Sequence, residues 1–251
     1  MYKISFENQL VLITGGTRGI GANIVKKVVE SCGDVIFTGT GICEPDWLEP
    51  LKRKYKKRKI EYISLDFTKS QWIDRFSDYF ENIPEISVCI NNAGINVISD
   101  IRNINIEDVE NVVDVNLIAP AIITSKISKK MTLCGYGRIV NISSVYGIGS
   151  RSGRSTYSAT KFGLIGQTKA CALDLANSNI LVNAVCPGFT LTDLTSQVLG
   201  KKGIEEIETR IPIGRLAETA EIVPAVLFLA SSLNTYITGQ TLVVDGGYLI
   251  E

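Results

Sequence analysis

Short runs of apolar, mostly β-branched residues alternate along this chain with longer segments in which apolar residues recur every three or four positions. The apolar runs predict seven strands, at 10–14, 35–38, 60–65, 87–91, 138–142, 180–185 and 241–244. Because these strands are apolar at successive positions rather than at every second one, they favour a parallel sheet that is covered on both faces.

The longer amphipathic segments predict the helices that connect these strands. They span 20–31, 46–57, 69–82, 106–131, 155–177 and 218–231, and the stretch 187–217 is predicted to be irregular. No repeat and no Pro/Ser-rich linker divides the chain. The sequence therefore predicts a single α/β domain over residues 1–251, with a doubly wound parallel sheet of about seven strands and helices on both faces.

Composition gives no argument for a macromolecular partner. The chain has 251 residues, of which 45% are apolar and 21% charged, and its formal net charge is zero. We therefore expect no nucleic-acid partner and no membrane partner, since no segment approaches the ~18 apolar residues of a spanning helix. The strongly basic run 52–59 is interpreted as the solvated end of a helix, with a patch for nucleic acid or an acidic partner as the alternative.

Cysteine and histidine usage restricts the compartment and the chemistry. Six cysteines without a CxxC pair predict free, mostly buried thiols in a reducing, cytoplasmic compartment, and the N-terminus shows no signal-peptide pattern. Histidine is absent, which excludes histidine-based catalytic triads, histidine-ligated metals and a histidine general base. Acid–base chemistry must therefore come from tyrosine, lysine, cysteine or carboxylates, and no metal site is expected.

Three glycines lie between the first predicted strand and the first predicted helix. Gly15, Gly19 and Gly21 would let the backbone turn tightly and approach a phosphate, which the N–H groups at the helix start would bind. The alternative is a tight structural turn between strand and helix. No Gly-Lys-Ser/Thr follows, so the loop is not that of a nucleoside triphosphatase.

The spacing of these glycines is GxxxGxG, within Thr-Gly-Gly-Thr-Arg-Gly-Ile-Gly at 14–21. With this segment the chain resembles the short-chain dehydrogenase/reductase family, whose opening motif is TGxxxGxG. The resemblance continues through Asn-Asn-Ala-Gly at 91–94, Pro-Gly-Phe-Thr at 187–190 and Val-Asp-Gly-Gly at 244–247. It implies a Rossmann-type fold, a nicotinamide dinucleotide cofactor and an oxidoreductase activity.

The resemblance also implies which residues contact the cofactor. Asp66 matches the acidic residue at the adenine amino group, and residues 91–94 support the adenosine side. The residues at 187–192 match the stretch that holds the nicotinamide carboxamide. The predicted cofactor-binding residues are Gly15, Thr17, Arg18, Gly19, Ile20, Gly21, Thr40, Asp66, Phe67, Asn92, Ala93, Gly94, Tyr157, Lys161, Pro187, Gly188, Thr190 and Thr192.

The end of the second strand favours NADP(H) over NAD(H). An NAD-preferring site places a carboxylate there for the ribose 2′-hydroxyl, but this strand ends in Gly-Thr-Gly at 39–41. Arg18 could instead pair with a 2′-phosphate through charge-assisted hydrogen bonds, and Thr40 could add a hydroxyl donor. The alternative for Arg18 is a solvent-facing loop residue.

Asn116, Ser144, Tyr157 and Lys161 match the catalytic set of the family in order and spacing. Tyr157 and Lys161 are four residues apart on a predicted helix and so share a face, where the ammonium would favour the phenolate and lower the tyrosine pKa. Tyr157 is the predicted proton donor during reduction, and Lys161 would also bond the nicotinamide ribose. Ser144 would donate to the substrate carbonyl, whereas strand alternation points Ser143 elsewhere. In the family, the Asn116 position holds a water that links the lysine to solvent.

The substrate is less clear from the sequence. The C-terminal half resembles the 3-oxoacyl-[acyl-carrier-protein] reductase branch, but Gly135 and Ser178 stand where that branch tends to carry basic residues for the carrier protein. Lys129, Lys130 or Arg138 could replace them, and similar patterns occur in reductases of sugars, steroids and polyketides. Residues 190–212 would form a lid, whose charges are interpreted as a solvated loop rather than a recognition surface. Ser144, Tyr157, Asn96, Arg151 and Arg154 are the predicted substrate contacts, and the two arginines favour an anionic or polar substrate.

The leading hypothesis is an NADPH-dependent carbonyl reductase or alcohol dehydrogenase. A non-catalytic dinucleotide sensor and a structural oligomerisation module are the alternatives. Intact Ser144, Tyr157 and Lys161 argue against the sensor, and the cofactor motifs argue against the oligomerisation module. The resemblance implies a homotetramer or dimer, with 248–250 either in the interface or packed on its own sheet. The expected partners are a small carbonyl or alcohol substrate and, as an option, an acyl-carrier protein.

Overall fold

The fold is built around one parallel β-sheet. The computed structural model describes residues 3–83 and 85–251, and for residues 193, 194 and 196–199 it describes the backbone alone. Its strands are β1 (Leu10–Ile13), β2 (Asp34–Gly39), β3 (Ile60–Ser64), β4 (Val88–Asn91), β5 (Gly137–Ile142), β6 (Ile180–Pro187), β7 (Thr190–Leu191), β8 (Ala217–Glu218) and β9 (Thr241–Val244). Seven of them form the main sheet in the order β3-β2-β1-β4-β5-β6-β9, and every pairing is parallel. This confirms the predicted sheet.

Helices cover both faces of the sheet. They are α1 (Gly19–Glu30), α2 (Leu48–Lys54), α3 (Trp72–Glu81), α4 (Ile106–Val113), α5 (Ala119–Cys134), α6 (Ser155–Leu175), α7 (Asp193–Glu208) and α8 (Thr219–Ala230). Helices α1, α2 and α8 contribute to one apolar cluster, and α3, α5 and α6 contribute to a second.

Strand alternation explains why both clusters can draw on the same strands. Val11 and Ile13 of β1 point into the cluster with α1, whereas Leu12 between them points into the cluster with α3. All three side chains are fully buried. A strand that is buried on both faces must be apolar at every position, which is the pattern that predicted the sheet.

The strand order creates a crevice at the carboxyl ends of β1 and β4. The chain builds β1, β2 and β3 outward in one direction and then returns to pair β4 with the free side of β1. The connections after β1 and β4 therefore diverge to opposite sides of the sheet. Ligands of doubly wound sheets bind in the crevice outside such a switch point.

The helix predicted over 106–131 is interrupted in the structure. Helices α4 and α5 are continuous with each other only through one π-helical segment, Asp114–Ile118, which holds Asn116. A π-helical turn adds a residue to the turn and changes the direction in which the following side chains point. Such segments are frequent at functional sites, and hydrophobic spacing alone does not reveal them.

The stretch 187–217 was predicted to be irregular, and this prediction is wrong. It contains β7, the helix α7 and β8, which pairs in parallel with β7. The start of α7 carries a signal that the prediction missed: the Thr192 hydroxyl accepts a 3.1 Å hydrogen bond from the Thr195 amide, which is an N-cap. Gly200 lies inside α7 with φ 60° and ψ 179°, which kinks the helix and weakens its periodic pattern. Part of the predicted lid, the side chains of 193, 194 and 196–199, lies outside the described residues.

The cysteines are free, but they are not mostly buried. Cys89 and Cys186 are buried, whereas Cys32, Cys43 and Cys134 are exposed. Within 3–83 and 85–251, no helix has the length and apolarity needed to cross a membrane. The same residues contain no cluster of three acidic or thiol side chains arranged to ligate a metal ion.

Candidate active site

One cleft of about 760 Å³, called here the main cleft, runs along the carboxyl ends of the strands. Every residue predicted to contact the cofactor lines it: Gly15, Thr17, Arg18, Gly19, Ile20, Gly21, Thr40, Asp66, Phe67, Asn92, Ala93, Gly94, Tyr157, Lys161, Pro187, Gly188, Thr190 and Thr192. Residues that are up to 177 positions apart in sequence thus form one continuous wall. Two predicted site residues, Asn116 and Arg151, do not line this wall.

The glycine loop leaves no room for a side chain at Gly15 or Gly21. A Cβ on Gly21 would lie 2.1 Å from the Gly15 carbonyl oxygen, and a Cβ on Gly15 would lie 2.8 Å from the Ala93 Cα. Gly15 and Gly19 also have φ of +65° and +57°, which L residues rarely adopt. Arg18 precedes α1 without a side-chain cap, so the N–H groups at the helix start face the cleft without a capping side chain. This cradle fits a pyrophosphate.

Asn92 holds the glycine loop in place. Its side-chain amide donates to the carbonyls of Thr14 and Gly15, at 3.0 and 2.9 Å. In return, the Thr14 hydroxyl accepts from the amides of Asn92 and Ala93, both at 3.0 Å. The end of β4 and the loop after β1 are therefore one rigid unit.

The far end of the main cleft, beyond β2, contains two wall residues that the sequence analysis missed. The Trp47 indole N–H donates to the Thr17 carbonyl at 2.9 Å, and the Lys26 ammonium lies 5.1 Å from the Trp47 ring centroid. Arg18 and Thr40 are both exposed at this end. No spacing rule connects a tryptophan in the loop before α2 with the glycine loop, so only the fold could place it.

Asp66 and Phe67 lie where β3 ends. The Asp66 carboxylate accepts from the amide and hydroxyl of Thr68, at 3.0 and 2.8 Å, which fixes its orientation in the wall. Phe67 is buried and packs edge-on against Trp72, with ring centroids 5.0 Å apart. Phe67 therefore contributes mainly backbone to the cleft surface.

Ser144, Tyr157 and Lys161 meet at the end of β5. The Lys161 ammonium donates to the Ile142 carbonyl at 2.8 Å and lies 5.7 Å from the Tyr157 ring centroid. Ser144 follows β5 and its hydroxyl accepts from the Tyr146 amide at 3.1 Å. Ser143 points the other way, and its hydroxyl donates to the Lys161 carbonyl at 3.0 Å. The alternation predicted for these two serines is thus observed.

The pKa of Tyr157 is not lowered, contrary to the expectation from its spacing to Lys161. Burial raises the pKa of the phenol, and the Ser144 hydroxyl and the Arg154 charge offset only part of that rise. Burial also lowers the pKa of Lys161 from 10.5 to about 8. The ammonium contacts the Ile142 carbonyl rather than the phenol oxygen. Tyr157 is therefore a neutral phenol at neutral pH, which suits a proton donor.

Asn116 lies behind the wall of the main cleft and not in it. Its side-chain oxygen accepts from the Ile95 amide and its nitrogen donates to the Ile95 carbonyl, both at 2.9 Å. The same nitrogen donates to the Thr160 hydroxyl at 3.2 Å. Asn116 therefore connects the loop after β4 to α6, and its polar groups are engaged by protein atoms.

Gly188 and Thr190 form the wall opposite α6. A Cβ on Gly188 would lie 2.7 Å from the Asp245 Cα, so the segment can pass the end of β9 only without a side chain there. The Gly188 amide donates to the Val244 carbonyl at 2.9 Å. The Thr190 hydroxyl donates to the Gly188 carbonyl at 3.2 Å. The Gly188 amide and carbonyl are thus engaged within the protein, and this wall brings the backbone of 187–190 to the cleft surface.

Of the residues predicted to contact the substrate, Asn96 and Arg154 line the cleft and Arg151 is exposed outside its wall. Tyr146, which the sequence analysis missed, packs edge-on against Tyr157 and Phe189, with centroid distances of 6.4 and 6.1 Å. Its position two residues after Ser144, in the turn that closes β5, is the only signal that could have indicated it.

Comparison with known proteins identifies the family. The profile of a family described as Enoyl-(Acyl carrier protein) reductase matches residues 15–249. The chain is 38% identical to the 3-oxoacyl-[acyl-carrier-protein] reductase of Aquifex aeolicus, over 98% of the chain and 99% of that protein. The chain belongs to the short-chain dehydrogenase/reductase family.

Relatives within the short-chain dehydrogenase/reductase family carry names that refer to different substrates. The chain is 37% identical to a 3alpha-hydroxysteroid dehydrogenase of Mediterraneibacter gnavus, over 96% of both chains. A solved structure of a gluconate 5-dehydrogenase of Burkholderia cenocepacia, in complex with NADP and tartrate, superposes with a TM-score of 0.90 at 27% identity, covering 99% of this chain and 98% of that one. Membership makes this chain an oxidoreductase and leaves the substrate class open.

The surface that could receive an acyl-carrier protein differs from the expectation. Arg138, one of the suggested replacements for the missing basic residues, is 3% exposed. Its guanidinium donates to the backbone carbonyls of Gly137, Asn179 and Asn234. Burial lowers its pKa, and it cannot contact a protein at the surface. Lys130 is engaged as well, since it donates to the Ile83 carbonyl at 2.7 Å, whereas Lys129 is exposed.

Proposed function

We propose that this member of the short-chain dehydrogenase/reductase family interconverts a ketone and a secondary alcohol with NADP(H) as cofactor. The observation that carries the proposal is the meeting of Ser144, Tyr157 and Lys161 in a cleft whose other half is a glycine cradle for a pyrophosphate. A sensor would need the cradle and not the three polar side chains. The bound nicotinamide supplies a hydride to the carbonyl carbon.

Tyr157 supplies the matching proton to the carbonyl oxygen. Its phenol is neutral because burial raises its pKa, so it carries the proton that the developing alkoxide needs. The Ser144 hydroxyl donates a hydrogen bond to the same oxygen and stabilises its charge. In the oxidation direction, Tyr157 must first lose its proton, so the reaction favours higher pH.

Lys161 binds the ribose next to the nicotinamide and holds positive charge close to Tyr157. Its ammonium has one donor engaged by the Ile142 carbonyl, which leaves two N–H groups for ribose hydroxyls. Asn116 is a positioning residue: it fixes the loop at Ile95 and the helix at Thr160, between which Lys161 projects.

The cofactor is NADP(H) because the end of β2 offers no carboxylate to a ribose 2′-hydroxyl. Arg18 and Thr40 are exposed at that end of the cleft, and Lys26 adds a second cation there. A 2′-phosphate would meet two cations, and the nearest acidic wall residue is Asp66 at the end of β3. The related gluconate 5-dehydrogenase was solved with NADP, which supports the same assignment.

The remaining features follow from the family pattern and the free thiols. The substrate is a ketone, either a 3-oxoacyl thioester or a small polar carbonyl compound, and residues 190–212 cover it as a lid within the single domain 1–251. The enzyme works in the cytoplasm, where six free cysteines stay reduced. It assembles as a homotetramer or a dimer, which light scattering of the purified protein can decide.

Replacing Tyr157 with phenylalanine tests the proposal. NADPH oxidation should fall roughly 10²–10⁴-fold, because the proton donor is lost, while NADPH binding stays within about twofold. Fluorescence titration with NADPH reports binding separately from turnover. Tyr55→Phe, a half-buried tyrosine outside the main cleft, is the matched control and should turn over normally. Unchanged turnover in Tyr157→Phe would refute the assignment.

A further inference from the structure

Three polar atoms at the substrate end of the main cleft are buried and, among the described residues, have no hydrogen-bond partner. They are the Arg154 Nη1, the Tyr146 hydroxyl and the Asn96 Oδ1. All three residues line the cleft, and we call them the polar corner. A buried polar atom without a partner costs about 1–3 kcal/mol, so such atoms are normally paired. Arg154 and Tyr146 are direct neighbours in this wall, which indicates that a molecule bound in the cleft supplies the missing partner.

Arg154 is the dominant member of the polar corner. It is 8% exposed, and its guanidinium carbon lies 5.6 Å from the Tyr146 ring centroid. None of the six ion pairs between described residues includes it. Buried arginines are ordinarily paired with a carboxylate or bonded to carbonyls, as Arg138 is here.

The wall of the main cleft cannot neutralise this cation. Within the described part of the chain, Asp66 is the only acidic side chain that lines the cleft. Asp66 follows β3, which is four strands away from β5, the strand that leads to Ser144 and Tyr146. At about 4.8 Å for each strand, that separation is roughly 19 Å. The positive charge at the corner is therefore uncompensated by protein.

The polar corner adjoins the reacting group. Arg154 precedes Tyr157 by three residues at the start of α6, and both side chains contact the face or edge of the Tyr146 ring. The positive charge of Arg154 stabilises the phenolate of Tyr157 and so opposes the rise that burial causes in the Tyr157 pKa. A carboxylate on the Arg154 guanidinium and a carbonyl at the Tyr157 hydroxyl would therefore belong to the same small molecule, separated by a few covalent bonds.

Resting on the proposed function, we propose that the substrate is an oxo acid, or the corresponding hydroxy acid, whose carboxylate binds Arg154. The carboxylate accepts two hydrogen bonds from the guanidinium fork, and the Tyr146 hydroxyl and Asn96 serve the neighbouring oxygens of the same molecule. A 3-oxoacyl thioester is uncharged near its ketone and would leave the buried charge of Arg154 without a counter-ion. The polar corner therefore selects small acids against thioesters.

Binding to the holoenzyme tests the carboxylate subsite without turnover. We expect tartrate to bind the NADP⁺-loaded enzyme in a calorimetric titration, and the uncharged isostere tartramide to bind at least tenfold more weakly. Arg154→Gln should lose about 10- to 100-fold in tartrate affinity, as expected for a charged hydrogen-bonded pair, and Arg154→Lys should lose less. Arg75→Gln, which removes an exposed charge on α3, should bind tartrate as the wild type does.

Turnover tests the same assignment with matched ketones. Acetoacetate should be reduced with a kcat/KM at least tenfold above that of methyl acetoacetate and of acetoacetyl-CoA, and Arg154→Gln should abolish this preference. Equal or better reduction of the ester or thioester by the wild type, or equal loss on all three in Arg154→Gln, would overturn the oxo-acid assignment. So would failure of tartrate to bind. Tartrate binding without NADPH oxidation on any ketone would instead contradict the proposed reductase activity and leave the anion subsite supported.

Discussion

The ammonium of Lys161 donates a 2.8 Å hydrogen bond to the Ile142 carbonyl, which ties α6 to the last residue of β5. Lys161 is 3% exposed, and the described residues include no carboxylate within 4 Å of it. A buried ammonium with one carbonyl partner has lost much of its hydration. Its pKa falls to about 8 for this reason.

This shift predicts how stability depends on pH. Below pH 8 the lysine is protonated in the folded and the unfolded chain, and the fold bears the full cost of burying the charge. Between pH 8 and 10.5 the unfolded chain binds more protons than the folded one, so the free energy of unfolding rises with pH. At about 1.4 kcal/mol for each pH unit, the gain is a few kcal/mol.

Lys161→Met should remove that gain in the cofactor-free protein. Urea titration at several pH values gives the free energy of unfolding of both proteins. From pH 8 to 10.5 this free energy should rise more in the wild type than in the variant. Titrations of groups away from this lysine are common to both proteins and cancel, whereas the Lys161 charge lowers the pKa of Cys186 and the variant loses that effect. Lys169→Met, at an exposed position of the same helix, is the control and should give a difference that does not vary with pH. A pH-independent difference for Lys161→Met would contradict the shift.

Arg154→Gln should move the pH profile of alcohol oxidation upward. Burial raises the Tyr157 pKa, and the positive charge of Arg154 opposes that rise, so its removal raises the pKa further. Oxidation needs the deprotonated phenol, and the rising limb of kcat against pH should therefore appear at higher pH in the variant. Stopped-flow rates across pH 7 to about 11 would measure it. A profile that stays in place would mean that the arginine charge does not reach the phenol.

Gly21→Ala should abolish cofactor binding. The added Cβ would lie 2.1 Å from the Gly15 carbonyl oxygen, so the glycine loop and the start of α1 must separate. We expect NADPH affinity to fall at least ~100-fold, since the backbone amides that hold the pyrophosphate are displaced. Gly166→Ala in α6 is the matched control, because its Cβ meets nothing within 4 Å. That variant should bind NADPH normally and gain up to about 1 kcal/mol of stability.

Arg18→Ala should reduce the preference for NADPH. The loss of one phosphate-pairing cation should raise the KM for NADPH by roughly tenfold and leave the KM for NADH within about twofold. Arg53→Ala, an exposed arginine of α2 paired with Glu49, removes the same charge away from the loop and should change neither constant. Equal increases in the KM values for NADPH and NADH would show that Arg18 supports the glycine loop and does not bind the 2′-phosphate.

Much of the fold was predictable because it depends on local patterns. β1 is apolar at Val11, Leu12 and Ile13 since its two faces bury different helices, and this pattern is visible without any partner strand. The glycine loop was equally visible, because its strain and close contacts demand glycine at Gly15 and Gly21. Both features leave a local pattern in the sequence, although the contacts that require them come from distant segments.

Features that depend on distant residues were missed or misjudged. Trp47 reaches the Thr17 carbonyl across 30 positions of sequence, and Arg138 is buried by contact with the Asn234 carbonyl, 96 positions away. The Tyr157 pKa was expected to fall because Lys161 is four residues away, yet burial raises it. Spacing along a helix gives proximity, but the solvation of a group depends on everything that packs around it.

The order of strands and helices along the chain, the glycine cradle and the candidate set Ser144, Tyr157 and Lys161 were all available from the amino-acid order, since each leaves a local pattern or a recognisable motif. The folded chain added the burial of these groups, the engagement of Asn116 by Ile95 and Thr160, and the corner where Arg154, Tyr146 and Asn96 lie without partners. Those features arise from packing between segments far apart in the chain. This packing removes water from polar and charged groups and determines which hydrogen-bond partners they have. The loss of water around a side chain therefore leaves no pattern in the amino-acid sequence.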